Sequence, residues 1–277
     1  MAGAKGTMIA RRELITGCSS GIGRALAVEL AGRGHAVIAT ARREEALEGL
    51  NVDLKLPLDV TDPESVTAAL VAAGEVDVLV NNAGLSVWGV VEAPSDADVQ
   101  RLFETNVFGA LRMIRCVLPQ MRARRSGAVF QISSAAARRS TAMLGHYAAS
   151  KAALDAYSAA LRIELAPFGI AVCSVVLGPV ETALGKNRIV RKAAGYEAIM
   201  AGSLARVAAT RTAPATVEDA ARNIADAIEL EHPPLQIDGS GDGFALVAQR
   251  RGQDDDAWEE ATLRGLLGDN WREGHGA

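Results

Sequence analysis

Short apolar runs alternate with stretches of helical periodicity through most of this chain, and that alternation leaves few folds open to it. Leu14-Ile15-Thr16 closes a first apolar run, and a helical stretch follows at about 22–32. Further strand-like runs lie at 36–41, 52–58, 76–80, 128–132 and 170–176. Between them, helical patterns cover about 96–124 and 146–167, and Asp62-Pro63-Glu64 opens another helix with Asp as N-cap and Pro in the first turn. Strands that alternate with helices come from βαβ units, which build a parallel sheet covered on both faces. The expected fold is α/β, a doubly wound parallel sheet (Rossmann fold).

No linker, compositional break or internal repeat divides the 277 residues, so one domain is expected over 11–277, with 1–10 as a loose lead-in. Residues 216–231 read as a helix and Leu235-Gln236-Ile237 as a last strand. Trp258, Leu263, Leu266 and Leu267 suggest a terminal amphipathic helix in a C-terminal extension. Arg11-Arg12-Glu13 is an anomaly where a buried first strand should begin. The expectation is that the strand starts late or that Glu13 lies at an exposed end.

The formal net charge of -4 offers no footprint for nucleic acid, and the arginines at 122, 124, 125, 138 and 139 read as solvated helix ends and loops. Cys18, Cys116 and Cys173 are widely spaced and form no C-x-x-C pair. Neither a disulfide framework nor a metal site is expected, and a reducing cytoplasm fits best. No apolar run reaches the ~18 residues of a membrane helix, and the first twelve residues lack a signal-peptide core.

Two motifs carry chemistry. After the first strand comes Thr16-Gly17-Cys18-Ser19-Ser20-Gly21-Ile22-Gly23. Glycines let a backbone turn tightly against a pyrophosphate, and the next helix offers it free N–H groups and a positive dipole end. The same residues match G-x-S-x-G, the nucleophile elbow of α/β-hydrolases. That fold, however, needs strands before the elbow, then an acid and a histidine after it. Only a dozen or so residues precede this turn, and His35, His146, His232 and His275 have no supporting context. At the end of the second strand stands Arg42, where an NAD-selective site needs an acid for the ribose hydroxyls. An arginine there can pair with a 2′-phosphate, which favours NADP(H) over NAD(H).

The second motif is Tyr147-Ala148-Ala149-Ser150-Lys151, thirteen residues after Ser134. Residues four apart share a helix face, and a cation beside a phenol favours its ionised form. The expected result is a phenol tuned down from pH ~10 towards neutrality as a general acid/base for alcohol and ketone chemistry.

Taken with Leu58-Asp59-Val60, Asn81-Asn82-Ala83-Gly84, Asn106 and Gly178-Pro179-Val180-Glu181-Thr182, these motifs resemble the short-chain dehydrogenase/reductases in their single-domain form, over about 13–182. The Gly-Pro order after the sixth strand and Ala39-Thr40-Ala41-Arg42 look like the 17β-hydroxysteroid and retinol dehydrogenase-like branch. Gln131 departs from the family pattern, standing where an asparagine is common.

The resemblance implies the following roles. Ser134 hydrogen-bonds the substrate oxygen. Tyr147 gives or takes its proton. Lys151 lowers the phenol's pKa and binds the nicotinamide ribose. Asn106 holds a water that extends a proton relay. Gly17, Ser20, Gly21, Ile22 and Gly23 form the phosphate turn; Ser19 and Arg42 take the 2′-phosphate. Asp59 and Val60 contact adenine, and Asn82, Ala83 and Gly84 border the cofactor. Pro179, Val180 and Thr182 meet the carboxamide.

Residues 183–213 would be a helical substrate lid, with Ile189, Val190, Tyr196, Ile199, Met200, Leu204 and Val207 at near-helical spacing. The implied activity is an NADP(H)-dependent interconversion of a hydrophobic secondary alcohol and ketone such as a steroid, retinoid, fatty or polyketide-like molecule. The implied assembly is a homodimer or homotetramer. The alternative of another class is a non-catalytic NADP-binding sensor or interaction protein on the same fold.

Overall fold

The computed structural model describes residues 11–182, 188–210, 215–269 and 271. The lead-in expected at 1–10, and the parts of the expected lid at 183–187 and 211–213, lie outside the described residues, as does the side chain of Val207.

Seven strands form one sheet, parallel at every pairing: β1 (Arg12–Ile15), β2 (Ala36–Ala41), β3 (Leu54–Pro57), β4 (Val78–Asn81), β6 (Gly127–Ile132), β7 (Ile170–Val176) and β9 (Gln236–Asp238). Their spatial order is β3-β2-β1-β4-β6-β7-β9, so the winding reverses between β1 and β4. A crevice at the carboxyl ends of strands flanking such a reversal is where open α/β sheets bind ligands. β5 (Val87–Trp88) and β8 (Ile189–Val190) make a separate two-residue parallel pair that the sequence does not announce.

Helices α1 (Gly21–Gly32) and α7 (Val217–Ile228) cover one face of the sheet. Helices α2 (Pro63–Ala73), α4 (Ala110–Arg124) and α5 (Gly145–Leu165) cover the other. The strands are apolar on both sides for this reason. Ile15, Val37, Val80 and Phe130 enter one core, while Leu14, Ile38, Leu79 and Val129 enter the other. As the sequence predicts, Asp62 caps α2, accepting from the Glu64 N–H at 2.9 Å.

The helix expected over 96–124 is interrupted. α3 (Asp96–Phe103) passes through a π turn at Glu104–Gly109 before α4 begins. Toward the C-terminus, α6 (Glu197–Thr210) and α9 (Asp255–Leu267) meet backbone to backbone, since a Cβ on Gly202 would fall 1.9 Å from the Leu266 carbonyl oxygen. The terminal helix therefore packs on the lid helix. α8 (Gly243–Arg251) was not expected from the sequence.

Glu13 is at neither an exposed end nor a late start. It lies inside β1 and is fully buried, with its Oε1 3.0 Å from Nδ1 of His35, while Nε2 of His35 is 3.4 Å from Glu229. Burial pushes the Glu13 carboxyl up to about 8; Arg11 opposes the rise, and Glu229 and Asp77 add to it. A carboxyl kept near its neutral form, beside an imidazole, can occupy a strand interior that would reject a bare charge.

Candidate active site

The turn after β1 is built around glycines that no other residue could replace without strain. Gly17 and Gly21 have φ of +77° and +60°. A Cβ on Gly23 would lie 2.4 Å from the Asn82 side-chain nitrogen and 2.6 Å from the Gly17 carbonyl oxygen. The Asn82 amide donates to the carbonyls of Thr16 (2.8 Å) and Gly17 (3.1 Å). The Thr16 hydroxyl accepts from the N–H groups of Asn82 (3.0 Å) and Ala83 (2.9 Å). Thr16 and Asn82 thus clamp the glycine turn to the strand-end loop at 82–84. The N-cap of α1, Ser20, makes no side-chain cap bond, and the first turn holds no acid. The first N–H groups of α1 face an anion's place without a competing carboxylate.

These residues open onto a cleft of about 640 Å³. Its walls include Gly17, Ser19, Ser20, Gly21, Ile22, Arg42, Asp59, Val60, Asn82, Ala83 and Gly84 from one half, and Ser134, Tyr147, Lys151, Pro179, Val180 and Thr182 from the other. Gly23 and Asn106 stand behind these walls. Arg101, Thr105, Leu85, Ser86, Arg188 and Ile189 also line the cleft, although no motif marks them. The donor set suits a nicotinamide dinucleotide: a glycine cradle too tight for a Cβ, an uncompeted helix N-terminus, and an exposed Arg42 with no acid at the end of β2.

Tyr147 and Lys151 lie one turn apart in the first half of α5, and Ser134 ends the extended segment after β6. Burial pushes the Tyr147 phenol up to about 12, against a hydrogen bond with Ser134 that draws it down. This opposes the expected depression. Lys151 Nζ donates to the Ile132 carbonyl at 2.7 Å and sits 5.9 Å from the Tyr147 ring centroid, while burial is the largest influence on the phenol. Burial brings Lys151 itself down to about 8, with Asp155 opposing.

Asn106 sits in the π turn and is almost fully buried. Its Oδ1 accepts from Leu85 N–H at 2.8 Å, and its Nδ2 donates to the Leu85 carbonyl at 3.0 Å and to Ser150 Oγ at 3.1 Å. The side chain ties the cleft loop to the helix that carries the tyrosine.

A separate apolar cluster lies behind the loop at 86–90. Trp88, Val90 and Met143 pack with Tyr196, Ile199 and Met200 of the lid region. No histidine lines the cleft among the described residues, and His35 is bound into the far end of the sheet, which removes support from the hydrolase alternative.

The sequence model for short chain dehydrogenases matches residues 12–192, most of the chain, from β1 to β8 and including every residue that lines the cleft. The chain belongs to the short-chain dehydrogenase/reductase family. Among its relatives is a 3-ketodihydrosphingosine reductase from Bacteroides thetaiotaomicron, 38% identical over 197 residues, covering 70% of this chain and 72% of that protein. Retinol dehydrogenase 8 from Homo sapiens is 44% identical over 185 residues, covering 62% of this chain and 60% of its own length. A short-chain dehydrogenase from Burkholderia cenocepacia, solved in complex with NADP, superposes with a TM-score of 0.74 at 26% identity, covering 93% of this chain and 99% of that one. Family membership makes this an oxidoreductase fold that takes a nicotinamide cofactor and acts on alcohols or ketones. Among the described residues, no helix is long and apolar enough to cross a membrane.

Proposed function

We propose that this chain is an NADP(H)-dependent oxidoreductase that interconverts a hydrophobic secondary alcohol and its ketone. The observation that carries the proposal is the convergence of Ser134, Tyr147 and Lys151 with the glycine turn on one cleft. In reduction, Tyr147 donates its proton to the carbonyl oxygen as negative charge grows there, and Ser134 hydrogen-bonds the same oxygen. A phenol whose pKa burial has pushed up to about 12 holds that proton until the oxygen needs it. In oxidation the phenol must give its proton up first, and the Lys151 cation beside it stabilises the phenolate. Asn106 holds a water behind Lys151 that replaces the proton. A bound nicotinamide supplies the hydride in reduction and takes it in oxidation.

The phosphate groups go to the turn at Gly17, Ser20, Gly21, Ile22 and Gly23, and the 2′-phosphate to Ser19 and Arg42. Asp59 and Val60 meet the adenine; Asn82, Ala83 and Gly84 border the cofactor; Pro179, Val180 and Thr182 meet the carboxamide. The NADP(H) preference rests on Arg42 at a position without an acid. The hydrophobic substrate rests on the apolar cluster of Trp88, Met143, Ile199 and Met200 next to the cleft residues Ser86 and Ile189, and the names of the two relatives favour the same lipid-like class. We take the protein to work in the cytoplasm as a homodimer or homotetramer, joined through α3–α4 and α5.

The test follows NADPH absorbance across a panel of long-chain, steroid-like and retinoid ketones, with NADH run beside it. Turnover of at least one apolar ketone with NADPH, lost in Tyr147→Phe, is expected. NADPH binding with no turnover of any of them, or full activity in Tyr147→Phe, would overturn the reading.

A further inference from the structure

The paired strands β5 and β8 form a strap at the edge of the cleft, which Ser86 and Ile189 line. Ile189 N–H donates to the Ser86 carbonyl and Arg191 N–H to the Trp88 carbonyl, both at 2.9 Å. Arg191 then closes a two-pronged fork on Asp98 of α3, with Nε to Oδ2 and Nη2 to Oδ1 each at 2.8 Å. Asp98 is buried and also accepts from the N–H and hydroxyl of Ser95 in a capping box, so the fork lands on a carboxylate already held in place. Bidentate pairs of this kind fix geometry as well as contributing energy.

What the strap presents is Arg188. Its guanidinium lies 4.9 Å from the centroid of the Trp88 ring and lines the cleft. Among the described residues it makes no hydrogen bond and no ion pair. Its neighbour on the strap, Arg191, is by contrast spent on Asp98. A guanidinium held over an indole ring without a hydrogen-bonding partner keeps its five N–H donors available to a carboxylate or phosphate. The cofactor's phosphates have a different address, the N-terminus of α1 and Arg42 after β2. Arg188 is next to Trp88, which packs on Met143, four residues before Tyr147.

We propose that Arg188 is a specificity-determining residue that binds an anionic group on the substrate, a carboxylate or phosphate remote from the reacting carbonyl, and that Arg191 and Asp98 are the positioning pair that holds it there. The inference rests on the reductase reading above and narrows its substrate to an amphipathic molecule, an apolar body with an acidic end.

The experiment measures binding rather than turnover, so the two readings fail separately. The full chain saturated with NADP+ is titrated calorimetrically with decanoate and with decanol. Decanoate should bind about tenfold more tightly. Arg188→Gln should erase that preference while leaving the decanol and NADP+ affinities within about twofold of wild type, and Arg188→Lys should restore part of it. Arg191→Ala should reduce the acid-to-alcohol ratio without weakening decanol, which a merely loosened fold would not do. Equal binding of acid and alcohol by the wild type, or a preference that survives in Arg188→Gln, overturns the proposal. A selective loss of NADP+ affinity in Arg188→Gln also overturns it, because the anion would then be the cofactor's. Absence of ketone turnover, by contrast, would count against the reductase reading and leave an acid preference standing.

Discussion

Two buried ionisable clusters sit at opposite ends of the same sheet. At the carboxyl ends of the strands, Tyr147, Lys151 and Ser134 face a cleft beside the glycine turn. At the amino ends, Glu13 of β1 meets His35, His35 meets Glu229, and Arg33 bridges Glu229 (3.0 Å) and Asp226 (2.8 Å) at the end of α7. Burial moves pKa values in both: Tyr147 up to about 12, Lys151 down to about 8, Glu13 up to about 8. A perturbed pKa therefore does not by itself mark a reactive site here. At the amino end the polar groups face one another and tie the start of β1 to α1 and α7. At the carboxyl end the groups converge on open space where a substrate oxygen can stand.

The contrast can be broken in order of expected effect. Tyr147→Phe removes the proton donor and should lower kcat by ~10²–10⁴-fold while NADPH affinity, measured by fluorescence titration, stays within about twofold. Glu13→Gln should leave kcat unchanged; a loss like that of Tyr147→Phe would erase the distinction between the two clusters. Gly23→Ala forces a Cβ against the Asn82 amide and the Gly17 carbonyl. It should cost about 1–3 kcal/mol in thermal or urea unfolding and most of the cofactor affinity.

Glu13→Gln should instead change stability with pH. The folded carboxyl, at about 8, keeps a proton that the unfolded chain, at 4.5, releases, so wild-type stability falls as pH rises from about 4.5 to 8. The glutamine variant should show a flatter profile in urea melts at pH 5, 6.5 and 8, and be more stable than wild type at pH 8 by on the order of 2 kcal/mol. The smallest effect sharpens the cofactor end. Arg42→Ala should raise the NADPH Kd about tenfold and move that of NADH by less than about twofold.

Much of the sheet was legible because its signal is local. The run at 170–176 becomes β7 residue for residue, and Asp62 caps its helix, since burial on both faces and a free N–H each leave a mark within a few positions. The glycine turn and the Tyr147/Lys151 pair were legible for the same reason. Features that depend on distant partners were not. Glu13 looks like a misplaced charge until His35, 22 residues on, and Glu229 lie against it. Arg188 sits in no motif, and its place comes from a two-residue strand paired a hundred residues away. Asn82 reads as a cofactor neighbour, yet its amide is spent holding the glycine turn. The phenol's rise was missed because spacing reports a nearby cation and is silent on how much water the fold removes.

The π turn at Glu104–Gly109 bears on how this chain can vary in length. A π turn holds one residue more than the α-helical register around it, and each residue advances a helix by about 100°. Straightening residues 104–109 into α-helix without changing their number would rotate α3 against α4 by that angle. Either Leu102 or Met113 would then leave its buried seat, and Asn106 would swing off Leu85. The wide turn keeps both buried faces in place while it sets Asn106 against Leu85, so one more residue here would disable the site with every motif residue still present.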